Sequence, residues 1–171
     1  MIGNTVAAVE GAGLKISRVD VSSFAIVRAL MGDVGAVLPD DEGQATAIIH
    51  VSSGLTNIAV VERGVPRFNR ISSLAGNTFT QAIANVLNLT FDQAEELKVQ
   101  VGLPNIETGA SEEIPGVDPQ YVQVVHESIE REANKFIAEV RRSLDYYLTQ
   151  TSQVRTIKRI LLAGSGAQLR N

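Results

Sequence analysis

The feature that most constrains the fold is an apolar run that breaks into a glycine-rich turn. The run is Ile160 to Ala163, and Gly164-Ser165-Gly166 follows it directly. An apolar run ended by small residues predicts a buried strand and then a turn. Glycine has no Cβ, so a ligand can approach such a turn closely. Because ligands of α/β sheets bind beyond the carboxyl ends of strands, the pattern predicts a nucleotide here, the alternative being a plain strand-to-helix turn.

The composition excludes several classes of function. Among the 171 residues, 15 are Lys or Arg and 19 are Asp or Glu, so the formal net charge is −4. Nucleic-acid binders usually carry a basic excess, and we therefore expect no nucleic-acid partner. The chain has no cysteine and two distant histidines, so neither disulfides nor a metal site is predicted.

Strand patterns cluster in the first half of the chain. Three strands are predicted over 45–51, 57–62 and 65–72. The short connection after Val51 and the tight Arg63-Gly64 turn predict an antiparallel meander. A further short strand is predicted over residues 16–21, and residues 32–44 read as a loop or linker.

Helix patterns occupy most of the remainder. Start and stop signals predict three helices. The first ends at Gly13, the second is capped by Ser22 or Ser23 and runs to Met31, and the third spans residues 76–87. The third has Asn77 as its cap and one apolar face, made of Phe79, Ile83, Val86 and Leu87. A fourth helix follows over 90–101, where Thr90 and Gln93 form a capping box.

A long helix is predicted from about Asp118 to Gln150. Its apolar residues recur at an average step of about 3.6 residues, the α-helical period. These residues are Val122, Val125, Ile129, Ala133, Phe136, Val140, Leu144 and Tyr147. The stripe predicts a core-facing crossover helix rather than a coiled coil, which needs a period nearer 3.5 residues.

The order of these elements predicts the fold class. Three meander strands, a helix, a helical insertion, a long helix and a final strand imply an α/β fold with a mixed sheet and crossover helices. This order belongs to the ribonuclease-H-like sheet, on which each half of an actin- or Hsp70-type ATPase is built.

Several short stretches together resemble one protein family. They include Ala12-Gly13-Leu14-Lys15 with Val19-Asp20-Val21, the hairpin from Thr56 to Pro66, Arg70 with Gly76 and Thr80, Ala94 to Lys98, and Leu161 to Leu169. In order and spacing they resemble the type IV pilus assembly protein PilM family, actin-like proteins related to the cell-division protein FtsA. The resemblance covers nearly the whole chain.

The resemblance implies a division into lobes. Residues 1–31 correspond to the tail of a first actin-like lobe with its crossing helix, and residues 32–44 to a linker. Residues 45–171 correspond to a second lobe, truncated at its C-terminus, with a helical insertion over residues 88–117. The family's first phosphate loop is expected upstream of residue 1, and its last strand and helix are expected beyond Asn171.

The resemblance also implies a site for ATP or ADP with Mg²⁺. The nucleotide-binding positions would be Ser52, Ser53, Gly54, Thr56, Gly76, Glu95, Lys98, Gly164, Ser165 and Gly166. In related ATPases a pair like Glu95 and Lys98 touches ribose and adenine. The alternative for this pair is a solvated salt bridge between helix neighbours.

The phosphate hairpin departs from the family pattern at two positions. His50 stands where the family has Asp, and Ser52 stands where it has Gly. The alternatives are a weakened phosphate loop and a plain hairpin turn with a polar tip. No catalytic residue is assigned, and the resemblance implies at most weak ATPase activity. Because His50 replaces the carboxylate and the first lobe is expected to be largely absent, we expect the chain alone to hydrolyse no ATP.

The function implied by the resemblance is that of a nucleotide-binding scaffold in pilus biogenesis and twitching motility. It would lie in the cytoplasm and recruit the cytoplasmic tail of a PilN-like inner-membrane pilus protein, which would hold it at the inner membrane. The alternative is a structural actin-like module that has lost nucleotide binding and acts through self-association. An open sheet edge beside Ile160–Ala163 and the detached 1–31 arm predict a homodimer.

Overall fold

The structure, a computed structural model, describes residues 2–31, 44–104, 114–150 and 156–170. Two helices come first, α1 (Ile2–Gly11) and α2 (Ser22–Met31). Strands β1 (Gln44–Val51), β2 (Thr56–Glu62) and β3 (Val65–Ser72) follow, and then helices α3 (Gly76–Leu87), α4 (Phe91–Val101) and α5 (Pro119–Thr149). Strand β4 (Thr156–Ala163) and a short 3₁₀ helix (Ser165–Gln168) end the described chain.

The four strands form one mixed sheet in the order β3-β2-β1-β4. The first three pair antiparallel as a meander, and β4 lies parallel to β1. The β2–β3 turn has positive φ at both Arg63 (48°) and Gly64 (71°), the backbone that matches the twist of a tight hairpin. The predicted meander, mixed sheet and long crossover helix are therefore confirmed.

Strand β1 is covered on both faces. Residues Ala47 and Ile49 point to one face, where their clusters include Tyr147 and Val140 of α5. Ile48 points to the other face and packs with Val27 of α2. The alternation of a strand thus places α5 and α2 on opposite sides of the sheet.

Helix α5 begins as its sequence predicts. Asp118 caps the helix by accepting a hydrogen bond from the Gln120 N–H at 2.8 Å, and Pro119 stands at its first position. The first half of its apolar stripe packs against α3 and α4, in a cluster that contains Ile83, Ala94, Val101, Val122, Val125 and Ile129. The second half packs on the sheet, so α5 joins the helical layer to the strands.

Two predictions near the N-terminus are wrong. Residues 16–21 form no strand, because a strand needs a neighbouring ladder and none of the described residues supplies one; Val19 is 60% exposed. Neither serine caps α2, since the Val21 carbonyl accepts the first helical hydrogen bonds. Ser22 and Ser23 lie inside the first turn, where Ser23 is buried.

Three predictions in the later elements also need correction. The cap of α3 is Ala75 rather than Asn77, and Thr78 Oγ1 accepts from the Ala75 N–H at 3.1 Å. Val86 is 53% exposed and does not share the buried face of α3. Strand β4 is not buried, because it pairs only with β1 among the described strands and leaves Ile160 and Leu162 exposed.

Part of the predicted loops lies outside the described residues. The linker falls there except for Gln44, which begins β1. Between α4 and α5 the structure describes only residues 102–104 and 114–117, which form neither helix nor strand.

Candidate functional site

A cavity of about 550 Å³ opens where β1 and β4 end. These strands are parallel, so their carboxyl ends meet at one edge of the sheet, the usual ligand position in α/β folds. Helices α3, α4 and α5 and the 3₁₀ turn complete the walls. Apolar lining comes from Val51, Phe79, Val99, Leu103, Phe136, Ile137, Leu162 and Leu169.

A charged network forms one wall of the cavity. Lys98 is 8% exposed, and its Nζ donates to Glu95 Oε2 at 2.6 Å and to Thr80 Oγ1 at 2.9 Å. It also lies 3.5 Å from the Gly76 carbonyl oxygen, and Thr80 donates to the Glu95 carboxylate. Lys98 is thus a buried cation, and its ion pair with Glu95, three residues earlier on α4, is partly exposed on the carboxylate side.

The pKa of Glu95, the carboxylate of this network, is lowered. Burial raises the pKa of Glu95, but hydrogen bonds from Lys98 and Thr80 and the Lys98 charge outweigh it, so the pKa lies below its ordinary value. Glu95 is 43% exposed at its side chain, so it can accept a hydrogen bond from a ligand in the cavity. A sugar hydroxyl is a donor of that kind.

The β1–β2 hairpin ends beside the same cavity. Ser52 Oγ donates to the Leu55 carbonyl at 2.6 Å, which closes the turn. Within the described chain the backbone N–H groups of Ser53, Gly54 and Leu55 have no acceptor, so they are available to an anion. The N–H groups that open α3 are already used, because Gly76 donates to Ser52 and Asn77 donates to Ser53.

The glycines after β4 serve the packing of the sheet. Gly164 has φ +91°, and a Cβ there would lie 2.2 Å from the Val51 carbonyl oxygen. A Cβ on Gly166 would lie 2.5 Å from Val51 Cγ1. Both glycines are thus required by the close approach of the turn to the end of β1, whatever the cavity binds.

The structure brings together six of the ten site residues that the sequence predicts. Lining the cavity are Ser53, Gly76, Glu95, Lys98, Ser165 and Gly166. The other four, Ser52, Gly54, Thr56 and Gly164, do not line it. Thr56 is buried, and its hydroxyl donates to the Leu74 carbonyl at 2.7 Å.

Two further residues bear on the prediction of the site. His50 precedes Val51 on β1, and successive side chains of a strand point to opposite faces of the sheet. Because Val51 lines the cavity, the His50 side chain points away from it. The His50 Nδ1 atom is buried without a partner among the described residues. Sequence reasoning does not single out Thr80 as a site residue, although Thr80 is buried and completes the Lys98 network. The sequence feature that could have identified Thr80 is its position one helical turn after Gly76.

No protein-only metal centre is found in the part of the chain that the structure describes. Over these residues no three His, Cys, Asp or Glu side chains converge to hold a metal ion. The same residues include no helix long and apolar enough to cross a membrane.

Comparisons with known proteins agree on family and fold. The family model of the type IV pilus assembly protein PilM matches residues 1–171. A solved PilM-PilN type IV pilus biogenesis complex is similar at 24% identity and a TM-score of 0.72, over 99% of this chain and 42% of that chain. MreB5 of Spiroplasma citri bound to ADP is similar at 16% identity and a TM-score of 0.60, over 99% of this chain and 55% of that chain.

Sequence relatives point to the same fold family. The cell division protein FtsA of Buchnera aphidicola is 29% identical over 126 residues, which is 72% of this chain and 28% of FtsA. The cell shape-determining protein MreB of Haemophilus influenzae is 24% identical over 166 residues, 86% of this chain and 47% of MreB. The chain therefore spans less than half the length of these relatives, and its fold is actin-like.

Proposed function

The chain belongs to the type IV pilus assembly protein PilM family, and from that membership we propose that it is the nucleotide-binding lobe of an actin-like scaffold protein. The observation that carries the proposal is the cavity at the ends of β1 and β4. It joins the buried Lys98 network on α4 to the turn at Ser165 and Gly166. Solved MreB5 structures with ADP and with AMPPNP support a nucleotide as the ligand.

Each part of the cavity has a role in this proposal. The adenosine would lie between α4 and the turn that begins at Ser165, with Glu95 as acceptor for a ribose hydroxyl. The phosphates would extend toward the hairpin tip, where the N–H groups of Ser53 and Gly54 are available. Mg²⁺ would be held mainly through those phosphates, as is common for this ion.

The partner follows from the family and from a similar structure. A PilM-PilN complex is among the solved structures that share this fold. We therefore infer a PilN-like partner and, more finely, the cytoplasmic tail of an inner-membrane pilus protein. Such a partner would hold the chain at the cytoplasmic side of that membrane.

Binding to the cavity can be tested by an NMR titration of the purified chain with ADP. We expect amide shifts at Ser53, Lys98 and Ser165, and none at Asn85, which lies near the end of α3 and does not line the cavity. NMR also detects millimolar binding, so weak affinity does not hide the result.

A pair of charge variants sharpens the same test. Val99 and Gln100 are adjacent exposed residues of α4, but only Val99 lines the cavity. Val99→Glu should weaken ADP binding by about tenfold, because it places a charged group in the part of the cavity proposed for the adenosine, and Gln100→Glu should not. Absent shifts in the wild type, or equal effects of the two variants, would contradict a nucleotide in this cavity.

One observation favours the second candidate, a module that self-associates. Strand β4 pairs on one side only within the described sheet, and Ile160 on it is 53% exposed. Exposed apolar edge strands tend to pair with another chain, and lysine on an edge opposes this. The occupant would be the β4 edge of a second copy, giving a homodimer.

Self-association through β4 predicts a specific loss of dimer. Ile160→Lys should shift the sedimentation coefficient from dimer to monomer, because two copies of the charge would face each other. Ile71→Lys on β3 is the matched control, since Ile71 is also 56% exposed on an edge strand. A wild-type monomer at tens of micromolar, or a dimer that survives Ile160→Lys, would rule out this interface.

A further inference from the structure

The segment after β4 is tied to the end of α4 by one backbone hydrogen bond. The Leu103 N–H donates to the Arg170 carbonyl oxygen at 2.6 Å. Gly102 precedes it with φ 70° and ψ −157°, a conformation that is essentially restricted to glycine. A Cβ on Gly102 would lie 2.3 Å from the Arg170 carbonyl oxygen and 2.9 Å from its carbonyl carbon.

This bond joins two walls of the cavity. One wall is α4, which carries Glu95 and Lys98 and ends just before Gly102. The other is the turn from Ser165 to Arg170. Leu103 and Leu169 also pack against one hydrophobic cluster, so apolar contacts accompany the backbone bond.

We propose that this bond is a latch whose closure is coupled to ligand binding in the cavity, and that Gly102 is a positioning residue for the ligand. The proposal rests on nucleotide binding as proposed above. A ligand that contacts both walls binds more tightly when the latch holds them at the right separation. By linkage the ligand then stabilises the closed latch by the same factor.

The glycine is what permits the latch to close. At Gly102 any Cβ meets backbone atoms of Arg170, which cannot rotate away as a side chain would. A substitution must therefore separate Leu103 from Arg170. The two cavity walls between which the adenosine is proposed to lie would then move apart, even though no ligand-contacting side chain has changed.

The test compares two glycines with different surroundings. Gly102→Ala should weaken ADP binding about tenfold, within the usual range of coupling between sites. Gly116→Ala is the matched control, because Gly116 also has a positive φ, +83°, but a Cβ there meets nothing within 4 Å. It should keep wild-type affinity, although it also places an alanine at a positive φ.

Hydrogen exchange at Leu103 tests the latch in the wild type, so it does not depend on the variant folding. We expect this amide to be protected in the free protein and further protected by ADP, and to exchange faster in Gly102→Ala. Wild-type affinity in a folded Gly102→Ala variant, or Leu103 exchange unchanged by bound ADP, would overturn the latch. A wild type that binds no ADP would instead contradict the proposed function, and Leu103 exchange in the free protein would still show whether the bond forms.

Discussion

Alanine in place of Gly164 is expected to destabilise the fold by about 3 kcal/mol, the upper range for a residue forced into a glycine-only conformation. The reason is steric, because the added Cβ would lie 2.2 Å from the Val51 carbonyl oxygen at φ +91°. A loss of this size should lower the melting temperature by about 6–12 °C, measured by circular dichroism.

Gly13→Ala provides a control for the effect of placing alanine at a positive φ. Gly13 has φ +79° at the end of α1, and a Cβ there meets nothing within 4 Å. Its effect should therefore be smaller than that of Gly164→Ala. Equal effects would mean that the contact with Val51 contributes nothing. A residue larger than alanine at position 164 would disturb packing against β1 before it affected a ligand. Such a variant can therefore test nucleotide binding only after its folding has been verified.

Methionine in place of Lys98 is expected to reduce ADP affinity by tenfold or more, about 1.4 kcal/mol. Lys98 lines the cavity and its Nζ contacts Glu95 and Thr80 within 2.9 Å, so its removal takes away a positive charge and the common donor of these two groups. The fold should lose only about 1 kcal/mol, because the partner carboxylate is partly exposed and screened by water. Isothermal titration and urea unfolding measure the two effects separately.

Lys135→Met is the control for this change. Lys135 also pairs with a glutamate three residues earlier, Glu132, at 2.7 Å, but it does not line the cavity. It should leave ADP affinity unchanged. If both variants bound ADP as the wild type does, Lys98 would have no part in binding.

The ion pair between Glu95 and Lys98 predicts a pH dependence of stability. The pKa of Glu95 in the folded chain lies below the ordinary value of 4.5, so its favourable contribution is complete above that value and is lost as pH falls through the folded pKa. The difference in unfolding free energy between wild type and Lys98→Met should therefore shrink below pH 4.5. Urea unfolding from about pH 7 to about pH 3 gives the comparison, and a difference that grows with acid would contradict it.

Elements whose signals are local are predicted well from the sequence. The capping box at Thr90 and Gln93 forms as predicted, and α5 begins directly after Asp118, close to its predicted start, because such signals act within one helical turn. Positive φ at Arg63 and Gly64 likewise follows from the two-residue turn itself. The predicted boundaries of these elements agree with the structure to within a few residues.

Elements whose state depends on distant neighbours are predicted poorly. Residues 16–21 have strand-like composition but find no ladder among the described residues. Ile160 lies in an apolar run that predicts a buried strand, yet among the described strands β4 pairs only with β1 and Ile160 is exposed. Burial and pairing require a second segment, and a pattern within one segment does not specify which segment that is.

The sequence by itself determined the meander, the helices and the presence of a glycine turn after β4, because capping, turn geometry and apolar periodicity act over a few residues. Only the tertiary structure decided that Glu95 and Lys98 face Ser165 across one cavity, and that Gly164 is needed for packing against Val51. It also decided that Leu103 bonds to Arg170. These contacts join segments far apart in the chain, so they exist only once the sheet and α5 have packed and brought those segments together.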